Sequence, residues 1–132
     1  MTGRYLGRKR CEVTHEQSGS KIETDAPKDN MGEGSRFSPT DLVGAALGTC
    51  IITTMAIVAE RDGMPFEGAT YEVTKEMVTQ PTRRIGTLTV KITLSKAIPE
   101  SYRSKLDHVA HACPVHKSLH PDVQMPIEIV YV

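Results

Sequence analysis

The sequence predicts an α+β domain organised around one long apolar helix, and three observations carry that expectation. An apolar run over residues 42–59 follows the helix-start signature Ser38-Pro39-Thr40-Asp41. Leu88, Val90, Ile92 and Leu94 alternate with Thr87, Thr89, Lys91 and Thr93, the two-residue period of a half-buried strand. The elements succeed one another as ββ-α-ββ-αα-β, with strands grouped around helices. A length of 132 residues fits one domain, 1–132.

Taken in order, residues 5–25 read as two short strands around the turn Gln17-Ser18-Gly19-Ser20, with residues 21–25 as the return. Residues 26–37, with Pro27, Asp29, Asn30, Gly32 and Gly34, read as a loop. Ser38 then suits the N-cap, Pro39 the first helical position, and Asp41 the capping-box carboxylate. The helix is predicted to run to about Asp62, with Gly63 past its end and Pro65 closing the segment. Apolar nearly all round, it should be surrounded by other structure.

Residues 70–80 and 84–95 read as a hairpin across Pro81-Thr82-Arg83. A second helix starts near Pro99-Glu100, where Tyr102, Leu106, Val109, Ala110 and Cys113 recur at helical spacing. Pro114 interrupts it, residues 115–119 form one further turn, and residues 122–132 close the chain as a strand.

Composition narrows the function. Lys+Arg and Asp+Glu balance at 16 each, so no nucleic acid or acidic membrane partner is expected, and Arg4, Arg8, Lys9 and Arg10 read as a solvated arm. Hydrophobic residues make up 39% and aromatics 5%, with no Trp, which predicts a modest aliphatic core and favours burial against a second subunit. No apolar stretch follows the basic start as a secretory signal would require, and three cysteines would leave one unpaired in an exported protein. A reducing cytoplasm is therefore expected. The run 42–59 carries two glycines and three threonines and reads as a core helix rather than a membrane span.

Cys50 lies within that helix and Cys113 opens Cys113-Pro114-Val115-His116, 63 positions later. If the fold joins them, the chain can perform dithiol chemistry. With Pro114 at the first position of a short helix, Cys113 becomes its N-cap, where backbone donors should lower the thiol pKa toward neutrality and His116 should add positive charge. The alternative for Cys113 is a small buried residue at a helix junction. Cys50, flanked by Ala46, Leu47, Thr53 and Thr54, is by itself a packing residue. Its activation requires a cation from Arg36, Arg8, Arg10, Arg83 or Arg84. Cys11 reads as structural. His108, His111, Cys113, His116 and His120 offer zinc-type ligands, but Pro114 re-aims the chain between them, so solvent-facing or capping histidines are expected and no metal. No phosphate loop, nucleophile elbow, HExxH or dinucleotide fingerprint is present.

With both cysteines placed, the chain resembles the OsmC/Ohr family, osmotically inducible protein C and organic hydroperoxide resistance protein. The residues that carry the likeness are Ser38-Pro39-Thr40-Asp41-Leu42, Ala45-Ala46-Leu47-Gly48-Thr49-Cys50, Cys113-Pro114-Val115 and a final strand. The resemblance implies an OsmC-like fold, a long central apolar helix wrapped by antiparallel sheet, in an intertwined homodimer. It also implies a cytoplasmic thiol-dependent peroxidase acting on organic hydroperoxides, with hydrogen peroxide a smaller candidate. Cys50 would attack the peroxide, Cys113 would resolve the sulfenic acid to a disulfide, and an external dithiol would reduce that bond, without cofactor. The family pairs an arginine with a helix-start glutamate. Here that glutamate position falls on Thr40, with Asp41 displaced by one, and Arg8 or Arg10 is the nearest arginine, Arg36 a further candidate. The catalytic set is thus Cys50, Cys113, Arg10, Arg36 and Asp41. Two other readings stay open: a family member that binds a hydrophobic ligand without catalysis, and a His/Cys metal-binding protein.

Overall fold

A computed structural model describes all of residues 1–132, which form two compact units, Met1–Val43 and Gly44–Val132. The first holds the antiparallel sheet β1 (Thr2–Gly7), β2 (Arg10–Thr14) and β3 (Lys21–Asp25) in the order β1-β2-β3. Three strands replace the two expected. β1 escaped notice because five of its six residues are exposed, so its sequence lacks the alternation that burial of one face imposes. A 3-10 turn at Lys28–Asn30 interrupts the loop that follows.

Helix α1 (Pro39–Arg61) starts as the sequence dictates. The Ser38 N–H donates to Asp41 Oδ2 at 2.8 Å and the Asp41 N–H donates to Ser38 Oγ at 3.1 Å, a reciprocal capping box. Its end is equally local. Gly63 takes φ +69°, its N–H donates to the Glu60 carbonyl at 3.1 Å, and the Met64 N–H donates to the Ala59 carbonyl at 2.8 Å, which closes a Schellman motif.

In the second unit β4 (Thr70–Val78), β5 (Arg84–Leu94) and β6 (Ile127–Tyr131) form a sheet in that order. β4 and β5 pair antiparallel, but β5 and β6 pair parallel, so this sheet is mixed rather than purely antiparallel. The last strand begins at Ile127 instead of residue 122, since Pro121 and Pro126 hold the preceding segment out of a regular ladder.

One face of this sheet makes the core. Leu88, Val90 and Ile92 are fully buried and Leu94 is 1% exposed; Leu47, Ile51, Met55 and Ala59 of α1 and Leu106 and Ala110 of α2 (Glu100–Ala110) are buried with them as the core. Each such aliphatic side chain contributes about 1.5–3 kcal/mol on burial. Gly48 permits close approach of α1 to β4: a Cβ there would lie 2.5 Å from Tyr71 and 2.8 Å from Val73. The helix is not surrounded, however. Its buried residues form a single stripe, Gly44, Leu47, Gly48, Ile51, Met55 and Ala59, and Ile57 on another face is 60% exposed. By length and composition α1 is also long and apolar enough to cross a membrane, although that stripe is buried within the protein.

α2 is fastened to the end of α1 by Asp62. Tyr102 Oη donates to Asp62 Oδ2 at 2.6 Å and Lys105 pairs with the same oxygen. After α2 the chain forms the short helix α3 (Pro114–Ser118), which Cys113 precedes as N-cap.

Candidate functional site

The structure brings Cys50 and Cys113 together within the second unit. All three cysteines are free thiols, and the Cys50 side chain lies near enough to the Cys113 thiol to perturb its ionisation. Their exposure differs in a chemically useful direction. Cys50 is half-buried on α1 and Cys113 is wholly buried. Helical spacing sets Cys50 next to the buried Ile51 at the edge of the core stripe, which leaves its sulfur on the border between interior and solvent.

Cys113 occupies the predicted cap, and its sulfur accepts the His116 N–H at 3.3 Å. The electrostatic expectation fails. Burial pushes the Cys113 thiol above its ordinary range, and the Cys50 sulfur adds to that; the backbone donors of His116 and Val115 offset only part. Nor does His116 supply charge: burial, with His111 and Lys117 adding to it, pushes the imidazole down. Cys113 is therefore a protonated, sheltered thiol, suited to the second position in a reaction rather than the first.

The other candidate residues lie within residues 1–43, where each has its own partners. Arg10 Nη2 donates to Glu33 Oε2 and, at 2.9 Å, to Ser35 Oγ. Its Nε lies 3.9 Å from Oδ2 of the fully buried Asp25. That Oδ2 accepts the Ser35 N–H at 2.9 Å and hydroxyl at 2.8 Å, and these bonds, the backbone one first, together with Arg10 hold the Asp25 carboxyl below its usual range despite burial. Arg8 donates to the other oxygen of Glu33, so one carboxylate grips both arginines. Arg36 stands apart: it pairs with Glu23 at 3.4 Å and donates to the Ser35 carbonyl. Asp41 serves the capping box. Arg36 and Asp41 line an open cavity of about 390 Å³ with Gly34, Ser35 and Phe37.

Asp25 and Glu33 were missed from sequence. Asp25 ends a strand and looks solvated until tertiary structure buries it, while Glu33 stays exposed in a glycine-rich loop and is marked only by the two arginines it pairs with. The histidines form no ligand set. His111 and His116 stack edge to face at 5.7 Å and His120 lies 3.7 Å from Asp122, but no three His, Cys, Asp or Glu side chains converge as metal ligands.

An α+β fold with a half-buried thiol on its long helix and a buried thiol beside it defines a dithiol protein. The chain belongs to the OsmC-like protein family, whose model matches residues 32–128. It is similar to a crystal structure from Psychrobacter arcticus 273-4 assigned to osmotic stress induction and the detoxification response, at 38% identity over 97% of this chain and 93% of that one, TM-score 0.91. The fold also matches an organic hydroperoxide resistance protein OsmC from Legionella pneumophila, 18% identical over 98% and 95% of the two chains, TM-score 0.74. The organic hydroperoxide resistance protein OhrB of Bacillus subtilis matches at 19% identity over 97% and 94%, TM-score 0.72. No curated protein sequence matches significantly.

Proposed function

We propose that this protein is a thiol-dependent peroxidase that reduces organic hydroperoxides. The observation that carries the reading is the pairing of half-buried Cys50 with a buried, protonated Cys113 thiol. The Cys50 thiolate attacks the peroxide's terminal oxygen, the O–O bond breaks, and the alcohol leaves with a proton while Cys50 becomes a sulfenic acid. Cys113 then gives up its proton and attacks that sulfur as the thiolate, a disulfide forms, and the hydroxyl leaves with the proton as water. An external dithiol reduces the bridge and is itself oxidised to a disulfide. No cofactor enters. Arg10, before Arg36, is assigned the positive charge that keeps Cys50 ionised, with Asp41 the candidate carboxylate to orient it, and Arg10→Met is expected to slow the peroxide step.

A homodimer and a cytoplasmic location complete the proposal, without nucleic acid or membrane partners. Two features support the dimer. No apolar side chain of residues 1–43 is fully buried, while Tyr5 is 68% and Phe37 62% exposed, and Ile57 stands uncovered on α1. A second copy of the chain is the occupant we assign to these surfaces.

The test is quantitative thiol chemistry. With cumene hydroperoxide, the wild type should lose two thiols per turnover and yield a Cys50–Cys113 peptide by mass spectrometry. Cys113→Ser should consume one equivalent, trap a sulfenic acid at Cys50 and stop. Cys50→Ser should consume none. Steady turnover of Cys113→Ser with dithiol, or peroxide consumption by Cys50→Ser, would overturn the mechanism.

A further inference from the structure

Arg103 is a guanidinium with an aromatic ring beneath it and no ion pair within 4.0 Å, although the Asp107 carboxylate lines the same cavity one helical turn away. It stands on α2, with its Cζ 4.1 Å from the ring centre of Tyr131 on β6. Its Nε is buried without a hydrogen-bond partner. Stacking fixes the plane of the group, and with Nε enclosed, a ligand would have to bond to the terminal Nη groups. Arg103 and Tyr131 line an open cavity of about 370 Å³, completed by Ser104, Asp107 and Ile129. No cysteine borders it, and its size falls among small-molecule sites.

The lining selects a chemistry. A planar guanidinium edge matches a carboxylate, which accepts two parallel N–H bonds. Burial pushes the Tyr131 hydroxyl up, Arg103 offsets part of this, and Asp107 adds to it, so the phenol keeps its proton at neutral pH. Ile129 and the Tyr131 ring supply an apolar wall for a short chain. Asp107, exposed one helical turn from Arg103, sets a negative charge at the edge of the cavity that disfavours a second anionic group. We propose that Arg103 and Tyr131 form a binding site for a small aliphatic monocarboxylate, distinct from the thiol pair and independent of the peroxidase reading.

The probe is sodium hexanoate, titrated into the full-length protein while the Ile129 methyl resonances are followed. A saturable shift is expected, with 1-hexanol and inorganic phosphate each at least about tenfold weaker, the factor a charge-assisted hydrogen bond carries. Arg103→Met, which keeps the apolar stem, should weaken hexanoate by a similar factor, and Asp107→Asn should tighten it. Equal binding of hexanol or phosphate, no saturable shift, or unchanged affinity in Asp107→Asn would overturn the assignment. The Asp107→Asn and ligand comparisons decide the matter even if Arg103→Met fails to fold.

Discussion

The Cys113 sulfur accepts the His116 backbone N–H at 3.3 Å, yet its thiol is pushed above the ordinary range. Two effects oppose each other there, and burial outweighs the helix-cap donors because the side chain has no contact with water. A capped cysteine at a protein surface would shift the other way.

Disulfide formation should therefore depend steeply on pH. The attacking species is the Cys113 thiolate, whose fraction rises about tenfold per pH unit while pH stays well below its pKa. In single-turnover kinetics the sulfenic acid should decay faster across pH 6 to 8, and a flat profile would remove Cys113 ionisation from the step.

Asp62 should give the protein an acid-sensitive joint. Hydrogen bonds from Lys105 and Tyr102, with Arg61 assisting, hold its carboxyl well below the usual range despite partial burial. A depressed folded-state pKa contributes stability that is fully present above the unfolded value of 3.8 and is lost as pH falls below it toward the folded value. Asp62→Asn should flatten the stability curve below about pH 4.5. Tyr102→Phe should cost about 1 kcal/mol at neutral pH by denaturant unfolding.

Two helix glycines should respond to alanine with opposite signs. At Gly48 a new methyl would lie 2.5 Å from the Tyr71 ring and 2.8 Å from the branched Val73, so Gly48→Ala should lose about 1–2 kcal/mol. At Gly44 the nearest atoms, on Val73 and Leu88, lie at 3.4 and 3.5 Å, close to ordinary contact. There the helix preference for alanine should dominate and add up to about 1 kcal/mol. Thermal unfolding of both variants checks the pair.

Association follows from the uncovered surfaces. Sedimentation should give twice the 14.5 kDa chain mass for the wild type. Ile57→Glu, which sets a charge on the bare face of α1, should shift the protein toward monomer. A wild-type mass of one chain would refute the dimer.

Much of the fold was legible because its signals are short-range. The Ser38–Asp41 box, the Gly63 turn and the alternation over Leu88–Leu94 each depend on residues no more than a few positions apart, and each stands where the sequence put it. The strand β1 was not legible, since an exposed strand shows no alternation. The parallel pairing of β6 was hidden too, because strand direction depends on the path through α2 and α3 rather than on the strand's own residues. At the site, both cysteines could be named, while Asp25 and Glu33 could not.

From residue order alone come most of the secondary elements, the capping of α1 and the family likeness. These follow from backbone sterics and hydrogen bonds that close within one or two turns. Tertiary structure decided which side of α1 is buried, which thiol is sheltered, and that Cys113 holds its proton more tightly than its cap position implies. Burial is a sum over neighbours distant in sequence, and no local pattern contains that sum.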